Sequence, residues 1–384
     1  MARIDCRHFS GYKPCSRNAN CDETCGSYDK PRTRILLVHL EALGAVLRTT
    51  SILPAIKRKY PASHITWVTR APAASLLKNN PYVDRVLSTG AEDLAAIRFL
   101  EFDIGFCVDK SLHASAIMAS ATVDQVYGFI ADPYTGAILP GTGAARELWE
   151  LGLDDHKKFF VNQKPETQLL AEALELAYRR DPYVLVLSED ERAAARSLRS
   201  AWGSGPVIGL NTGCSPTITA KKLTVEAHRE LIRRLRALVP NASLVLLGGG
   251  AEDAARNAAI ADGLGAIQTP CEDGLRAGMA AVAACDIVVT GDSLGMHLAI
   301  ALNKWTVAWF GPTCAHEIDL YDRGVKVLAK APCAPCWKRS CSKSVMCYDL
   351  VSLDEVVSGV TKGLDWLASS SKPHSSEIYS SQSP

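Results

Sequence analysis

The residues with the most evident chemistry lie in "VVTGDSLGMHLAIAL", where Asp292 and Ser293 stand between an apolar run and a helical pattern. Either side chain can cap that helix by accepting hydrogen bonds from its first free backbone N–H groups. The same helix end attracts anions such as a diphosphate. His297 follows about one helical turn later, where it can donate a hydrogen bond to a ligand. The alternative for each residue taken alone is an ordinary N-cap and an ordinary histidine of the inner face.

A long polar loop, "NTGCSPTITAKK", follows the apolar run "PVIGL" and precedes an amphipathic helical pattern. Its hydroxyl groups and backbone amides can surround a phosphate, and Lys221 or Lys222 can supply positive charge. A lysine beside a leaving diphosphate acts as a point charge that stabilises the departing group. The alternative is that both lysines are solvated.

Three consecutive glycines in "LLGGGAED" allow the backbone to approach a ligand closely. The motif is not GxGxxG, so it does not predict a dinucleotide site. Glu252 falls in the first turn of the following helix and can accept hydrogen bonds from ribose hydroxyls. An acid that complements the helix dipole is the equal alternative.

Eight of the thirteen cysteines fall in two clusters, whose members are Cys6, Cys15, Cys21 and Cys25, and then Cys333, Cys336, Cys341 and Cys347. In a reducing compartment such clusters indicate a metal more than disulfides. The second cluster has the spacing C-x2-C-x4-C-x5-C, and its CxxC pair is half of a zinc or iron–sulfur site. The first cluster is looser and has His8 nearby. We expect a structural role, with a disulfide or plain thiols as alternatives.

The five remaining cysteines are scattered, and we expect most of them to be small buried apolar residues. They are Cys107, Cys214, Cys271, Cys285 and Cys314.

Short apolar runs alternate with helical patterns, and this βαβ rhythm predicts parallel sheets with helices on both faces. The predicted strands are 34–40, 64–69, 83–88 and 102–108 in the first half, and 206–211, 242–247, 285–292 and 305–311 in the second. Because ligands of open α/β sheets bind beyond the carboxyl ends of the strands, Gly44 and the turn at 290–297 both lie where a ligand is expected.

The sequence predicts two doubly wound Rossmann-like domains between a Cys-rich extension and a Ser-rich disordered tail. The predicted bounds are 1–31 for the extension, 32–180 for the first domain, 181–368 for the second domain and 369–384 for the tail.

The composition is that of an ordinary globular protein, with 384 residues, 47% of them hydrophobic, and a net charge of +1. That charge argues against a general nucleic-acid binder. No apolar run is long enough for a transmembrane helix, and "MARIDCRHFSGYKPC" has no apolar core of a secretory signal. We therefore expect a cytoplasmic protein.

These motifs, in this order, resemble glycosyltransferase family 9, the heptosyltransferases of lipopolysaccharide core assembly. The family pattern "DTGxxHLAAALGxPxVALFGPT" is the most specific match, to "DSLGMHLAIALNKWTVAWFGPT" (292–313). Two moderate matches are "LGALGDVLLTTPAL" to "LEALGAVLRTTSIL" (40–53) and "NPGAxxxxKRWP" to "NTGCSPTITAKKLT" (211–224). A "CxPCxxxxC…C" tail also recurs in many members.

The resemblance implies the GT-B fold, in which the two domains face a central cleft. It implies transfer of a sugar from a nucleotide diphosphate, usually ADP-heptose, with inversion and without a catalytic metal. Lys221 aligns with the lysine that neutralises the leaving diphosphate, and Glu252 with the acid that binds the donor ribose. The other donor-site residues that the resemblance implies are Thr217, Asp292, Ser293, Gly295, Met296 and His297.

The chain departs from the family pattern in its opening motif. The family's aspartate after the glycine, the general base for the acceptor hydroxyl, is Ala45 here, and a family glycine is Glu41. We expect Glu41 to act as the base, because its longer side chain can reach the same space. His39 and Asp109 are second choices, and loss of catalysis is the rival explanation.

The sequence thus predicts an inverting glycosyltransferase that moves heptose from ADP-heptose to a cell-envelope glycan such as lipopolysaccharide core. Its expected partners are the nucleotide-sugar and a glycan or glycolipid acceptor, with peripheral contact at the inner face of the inner membrane. The alternative is a non-catalytic sugar-nucleotide or glycan-binding metalloprotein of the same fold, with zinc or an iron–sulfur cluster at the cysteines.

Overall fold

The computed structural model describes residues 2–12, 15, 17–18 and 20–370, which form two compact units. The first unit comprises the described residues up to 42, 49–154 and 168–181, and the second comprises 43–48, 155–167 and the described residues from 182 onward. The segments 43–48 and 155–167 therefore belong to the second unit, although the sequence assigns them to the first domain.

The first unit contains a six-stranded sheet in the order β3-β2-β1-β4-β5-β6. The first five strands are parallel and β6 pairs antiparallel with β5. The strands are β1 (Thr33–Val38), β2 (Ser63–Val68), β3 (Arg85–Leu87), β4 (Glu101–Cys107), β5 (Thr122–Ala131) and β6 (Ile138–Pro140).

The second unit contains a fully parallel sheet in the order β12-β11-β10-β7-β8-β9. The strands are β7 (Val207–Asn211), β8 (Ser243–Leu247), β9 (Ile267–Gln268), β10 (Ile287–Gly291), β11 (Trp305–Phe310) and β12 (Gly324–Leu328).

The α-helices of the described chain are α1 (Leu43–Thr49), α2 (Leu53–Lys59), α3 (Ala71–Ala74), α4 (Ala91–Phe99), α5 (Leu112–Ser120), α6 (Arg146–Glu150), α7 (Glu166–Ala173), α8 (Glu189–Ala201), α9 (Val225–Leu238), α10 (Ala251–Ala261), α11 (Leu275–Ala283), α12 (Leu294–Ala301) and α13 (Leu353–Ser370). Short 3₁₀ turns include Thr50–Ile52, Thr219–Lys221 and Ala315–Glu317, and Lys157–Val161 is a single π-helical turn.

All eight predicted strands are present. The central strands are buried on both faces, as in parallel sheets covered by helices on both sides; every residue of β10 and β11, for example, is buried. The edge strand β3 is short and mostly exposed. The sequence did not predict β5, β6, β9 and β12. β9 has two residues, β6 and β12 lie at sheet edges, and half of β5 is polar or exposed, so none of them gives a long apolar run.

Each sheet reverses its winding direction between two adjacent strands. In the first sheet this switch point lies between β1 and β4, and in the second it lies between β10 and β7. The carboxyl ends of strands at a switch point form the usual ligand crevice of a doubly wound fold. The residues that follow β1, β4, β7 and β10 are therefore the first place to look for a site.

The Cys-rich extension packs on the first unit through Arg7. The Arg7 guanidinium contacts Asp29 of the extension at 2.7 Å and Asp84 at 2.8 Å, and it also donates to the Ser63 carbonyl oxygen. At the other end of the chain, α13 runs through Ser370 and so includes the first two residues of the predicted tail. The rest of that predicted tail, 371–384, lies outside the described residues.

Candidate functional site

Three polar residues meet at the switch point of the second sheet. Asn211 ends β7, and Asp292 and Ser293 directly follow β10. The Asn211 side-chain amide donates to Ser293 Oγ at 3.0 Å and to the Gly213 carbonyl oxygen at 2.9 Å. These bonds hold the start of α12 against the end of β7. The sequence analysis missed Asn211, although its position at the end of a predicted strand was visible.

Gly295 makes this approach feasible. A Cβ on Gly295 would lie 2.5 Å from Asn211 Cγ, so a larger residue there would push the two segments apart. Ser293 is the N-cap residue of α12 by its extended backbone, but its side chain makes no capping hydrogen bond. It bonds with Asn211 instead, so the predicted side-chain cap is not observed for Ser293.

Asp292 forms an ion pair with Lys221. Lys221 Nζ donates to Asp292 Oδ2 at 2.8 Å, and the two side chains are only 18% and 13% exposed. Burial alone would raise the pKa of Asp292, but the Lys221 charge and hydrogen bond outweigh it and the pKa falls below its usual value. The carboxylate is therefore ionised, and the structure brings together two residues that the sequence placed at a diphosphate.

His297 is buried beside the same pair and is neutral. Burial, followed by the charge of Arg48, lowers the pKa of His297 to about 3. Its Nδ1 lies 3.5 Å from Tyr183 Oη, and the two rings stack at 28°. A neutral imidazole has one N–H to donate and one lone pair to accept with.

Gly44 packs directly on His297. A Cβ on Gly44 would lie 2.4 Å from His297 Cδ2 and 3.0 Å from Nε2. Gly44 lies in the first turn of α1. The sequence pattern suggests a tight turn at Gly44 that precedes the helix, so the structure differs from that expectation. The glycine is thus required by close contact, and Ala45 beside it is half-buried.

A second charged group, which the sequence analysis missed, follows on α1. Arg48 Nη2 lies 2.5 Å from Glu166 Oε1, and the Arg48 side chain is 12% exposed. Burial opposes the charge of Arg48, but Glu166 and other nearby groups raise its pKa above the usual value. Burial and the nearby Glu166 charge raise the pKa of Glu317 to about 7. Arg48 stands where the family pattern has leucine, and this was the available signal.

The remaining predicted donor residues are Thr217 on the polar loop after β7, Glu252 on α10 and Met296 on α12. Lys222 Nζ lies 2.8 Å from Glu252 Oε1, and Glu252 is 80% exposed at its side chain. Thr217 is exposed and bonds with Ser215. Met296, in contrast, is fully buried, so its side chain is part of the core and its position does not favour a donor contact.

The candidate bases lie in the first unit at the switch point of that sheet. Glu41 Oε2 lies 3.0 Å from Arg70 Nε, and its side chain is 63% exposed. His39 follows β1 and Asp109 follows β4, and His39 Nε2 lies 3.1 Å from Asp109 Oδ1. The other Asp109 oxygen accepts from the Leu40 backbone N–H at 2.6 Å. His39 Nδ1 has no hydrogen-bond partner among the described residues.

All thirteen cysteines are free thiols. Four of the five scattered ones are buried, as expected, and Cys214 is intermediate. Burial, followed by the charges of Cys336 and Cys341, raises the pKa of Cys347. Within the described ranges, the group of three or more metal donors that come within 4.8 Å of one another is Cys314, His316 and Glu317. It contains none of the eight clustered cysteines, whose metal binding stays a prediction.

No helix in the part of the chain that the structure describes combines the length and the apolar character needed to cross a bilayer.

The basic side chains in the run at 57–60 make contacts within the first unit. Lys57 donates to the Ser63 carbonyl oxygen, Arg58 pairs with Asp181 and Lys59 donates to the Glu175 carbonyl oxygen. This run is therefore not a free cationic surface.

Comparison with known proteins decides the family. The sequence model of "Glycosyltransferase family 9 (heptosyltransferase)" matches residues 153–346, which is half of the chain. The matched range includes Asn211, Lys221, Asp292 and His297. The chain belongs to glycosyltransferase family 9. It is heptosyltransferase-like, as the resemblance implied.

The relatives agree with this assignment. Lipopolysaccharide heptosyltransferase 2 of Salmonella typhimurium is 23% identical over 296 residues, 73% of this chain and 83% of the relative. A family 9 glycosyltransferase of Veillonella parvula has a TM-score of 0.71 at 18% identity, covering 88% of this chain and 99% of that one. E. coli ADP-heptose lps heptosyltransferase II has a TM-score of 0.61 at 19% identity, covering 87% and 99%.

One further solved structure is similar, the iron-containing dodecameric glycosyltransferase TibC of enterotoxigenic E. coli. Its TM-score is 0.56 at 12% identity, covering 90% of this chain and 84% of that one. At these identities the solved structures establish the fold, which is the two-sheet α/β architecture of GT-B enzymes.

Proposed function

We propose that this family 9 enzyme transfers heptose from ADP-heptose to a hydroxyl of a cell-envelope glycan such as lipopolysaccharide core. The acceptor oxygen attacks the anomeric carbon, the bond from that carbon to the diphosphate oxygen breaks, and ADP leaves. The acceptor proton passes to a base. Because the attack comes from the face opposite the leaving diphosphate, the configuration at the anomeric carbon inverts. Support comes from two relatives, the lipopolysaccharide heptosyltransferase 2 of Salmonella typhimurium and the ADP-heptose lps heptosyltransferase II of E. coli.

The observation that carries the proposal is the Lys221–Asp292 pair at the start of α12. A buried lysine at a helix N-terminus offers the positive charge that a leaving diphosphate needs. Asp292 keeps Lys221 in place and compensates its charge while no donor is bound. On donor binding, the phosphate oxygens share Lys221 with Asp292, while Ser293 and Thr217 add hydroxyl donors.

His297 and Glu252 complete the donor contacts in this proposal. His297 is neutral, so its N–H donates to a donor oxygen without adding a second cation beside Lys221. Glu252 is exposed at the start of α10, where it can accept hydrogen bonds from ribose hydroxyls once it exchanges Lys222 for them. A neutral group that donates a hydrogen bond, together with an acid that accepts hydrogen bonds from ribose hydroxyls, suits a nucleotide diphosphate better than a free phosphate.

Glu41 remains the proposed general base in place of the missing carboxylate at Ala45. Its side chain is 63% exposed and pairs with Arg70 on the surface, so it is able to turn toward an acceptor. The His39–Asp109 pair is the second candidate, because a carboxylate that orients an imidazole leaves the other ring nitrogen to accept a proton. His39 is buried, which makes Glu41 the more accessible of the two.

The cysteine clusters are proposed as structural metal sites, for zinc or an iron–sulfur or iron centre. The thiols of Cys336 and Cys341 are near enough to Cys347 to raise its pKa, which supports a shared site. The similar glycosyltransferase TibC is iron-containing, which supports a metal. Such a metal would stabilise the loop and take no part in transfer. The alternative of a non-catalytic binding protein has no support among the relatives, which are transferases.

We further propose that the enzyme works in the cytoplasm at the inner face of the inner membrane. The test of the function is transfer itself: purified protein is incubated with ADP-heptose and heptose-deficient lipopolysaccharide core, and product is followed by mass spectrometry. Addition of one heptose that is lost in Lys221→Met supports the proposal. Stable donor binding without transfer to any core acceptor would refute it and favour the binding protein.

A further inference from the structure

A buried turn after β11 gathers three different metal-donor types. Cys314, His316 and Glu317 each place one donor atom within 4.8 Å of the other two. Cys314 is 2% exposed and Glu317 is 7% exposed, while His316 is half-buried. These residues flank and form the short 3₁₀ turn Ala315–Glu317, so the chain itself fixes their spacing.

The imidazole of His316 is oriented by a backbone carbonyl. His316 Nε2 lies 3.0 Å from the Lys158 carbonyl oxygen, a distance at which a protonated Nε2 donates to it. That tautomer keeps a lone pair on Nδ1. Histidines that bind metals nearly always donate their other ring N–H to a carbonyl or carboxylate in this way.

The thiol of Cys314 also has the outer contact of a metal ligand. Trp337 Nε1 donates to Cys314 Sγ at 3.4 Å. An N–H aimed at sulfur stabilises the negative charge of a metal-bound thiolate. Without a metal, burial, followed by the Glu317 charge, raises the pKa of the Cys314 thiol to about 12. Two of the three proposed ligands thus have a supporting hydrogen bond with a residue outside the group: His316 donates to the Lys158 carbonyl oxygen, and Cys314 accepts from Trp337.

Lys158 provides the positive charge beside the third donor. Its Nζ lies 3.4 Å from Glu317 Oε1 and 4.3 Å from the centre of the Trp337 ring. A divalent cation bound to Glu317 would take over the neutralisation of that carboxylate. The face of the Trp337 ring attracts the ammonium through a cation–π interaction. Lys158 can therefore leave Glu317 and still keep a favourable partner for its charge.

We propose that Cys314, His316 and Glu317 bind a zinc ion at a site separate from both cysteine clusters. Sulfur, nitrogen and oxygen ligands together suit zinc, which accepts all three in tetrahedral coordination with water as the fourth ligand. The loop after β11 supplies all three ligands, and the contact of His316 Nε2 with the Lys158 carbonyl oxygen ties that loop to a segment distant in sequence. The site does not depend on which sugar the enzyme transfers.

Zinc content of the whole protein tests the site. Protein purified with zinc and dialysed is measured by inductively coupled plasma mass spectrometry, for the wild type, Cys314→Ser and His316→Gln. His113→Gln is the matched control, because His113 is exposed on α5 and has no role in the group. We expect Cys314→Ser and His316→Gln each to lose one equivalent of zinc and His113→Gln to lose none.

Three further variants separate this site from the cysteine clusters and from a purely structural ion pair. Cys336→Ser should leave this equivalent in place, so that Cys336→Ser/His316→Gln loses it in addition to whatever Cys336→Ser loses. Lys158→Met should hold zinc more tightly than the wild type, because it removes the competing ammonium. Replacement by Co²⁺ should give thiolate charge-transfer absorption that His316→Gln alters.

The proposal is overturned if His316→Gln keeps the full zinc content and the same Co²⁺ spectrum as the wild type. It is equally overturned if the wild type binds no zinc, or if Cys336→Ser alone removes the equivalent that His316→Gln removes. If Cys314→Ser proves unfolded by circular dichroism, His316→Gln decides the matter, because half-buried His316 is the easier residue to replace.

Discussion

Gly44 and His297 are in direct contact, with room for a hydrogen atom and none for a methyl group at Gly44. The first turn of α1 and the first turn of α12 therefore meet at the imidazole that the family resemblance places at the donor. The motif at 40–53 thus contributes to the proposed donor site through its glycine, independently of the residue at position 45.

Substitution of Gly44 by alanine should disturb this contact. The new Cβ would lie 2.4 Å from His297 Cδ2, and such overpacking typically costs about 1–3 kcal/mol. We expect a lower free energy of unfolding in urea and weaker binding of the donor nucleotide, measured by isothermal titration calorimetry.

The matched control is Gly278→Ala, the same change inside α11, where a Cβ has open space within 4 Å. Helix propensity predicts a gain of up to about 1 kcal/mol there and unchanged nucleotide binding. Equal effects of both substitutions would show that the contact with His297 has no consequence.

Lys221 and Lys222 are neighbours in sequence with opposite expectations. Lys221→Met leaves the buried carboxylate of Asp292 without its partner, which typically costs about 3–5 kcal/mol, and it removes the charge proposed for the diphosphate. Lys222→Met breaks a pair with exposed Glu252 and should change stability little. Chemical denaturation and transfer kinetics of both variants make the comparison.

The double variant Lys221→Met/Asp292→Asn separates stability from catalysis. Removal of both charges should restore most of the unfolding free energy, because no unpaired buried charge remains. Transfer should stay low. If the single variant Lys221→Met retained wild-type kcat, Lys221 would have no role at the leaving group.

The position of the general base is tested by exchanging carboxylates. Glu41→Ala should lower kcat by about 10²-fold or more if Glu41 takes the acceptor proton, and Ala45→Asp should recover part of that loss. Glu92→Gln, an exposed acid in the first turn of α4, is the control. Transfer that survives Glu41→Ala and is unaffected by Ala45→Asp would dismiss Glu41, and loss in Asp109→Asn would then identify the His39–Asp109 pair.

Acid sensitivity of the second unit should depend on Glu191 and Arg276. Arg276 Nε donates to Glu191 Oε1 at 2.6 Å, and this hydrogen bond is the main cause that lowers the pKa of Glu191 from 4.5 to about 2. Because the folded pKa is the lower one, the stabilisation is complete above about pH 4.5 and is lost as the pH falls toward 2. Charged hydrogen bonds of this kind are worth about 2 kcal/mol.

Glu191→Gln should therefore be less stable than the wild type at neutral pH, and the two should converge near pH 2. Urea unfolding at several pH values measures this. Glu189→Gln on the same helix, with a side chain 68% exposed, should show a much smaller effect. Parallel curves for Glu191→Gln and the wild type at all pH values would contradict the linkage.

The central strands of both sheets were predictable because buried parallel strands are nearly continuous apolar runs. β1, β4, β7 and β10, which frame the two switch points, were all found. The residues directly after them, such as Asp292, were therefore also found. Short or half-polar edge strands carry too little apolar sequence for the same inference.

The partners of His297 could not be predicted in the same way. Gly44, Arg48 and Glu166 lie in the segments 43–48 and 155–167. These segments belong to the second unit, although the sequence around them builds the first unit. Their contacts depend on tertiary packing and leave no periodic signal. The three proposed zinc ligands at 314–317 were missed for another reason: they have no standard zinc spacing.

Donor binding tests the central claim most directly. Thermal unfolding is measured with ADP-heptose, other nucleotide-sugars and ADP for the wild type and Lys221→Met. A ligand that binds only the folded state at 100 times its Kd stabilises by about 2.7 kcal/mol, so we expect ADP-heptose to raise the Tm of the wild type most and to leave Lys221→Met nearly unchanged. An unchanged Tm with every nucleotide-sugar, at concentrations that stabilise a known heptosyltransferase, would contradict the account.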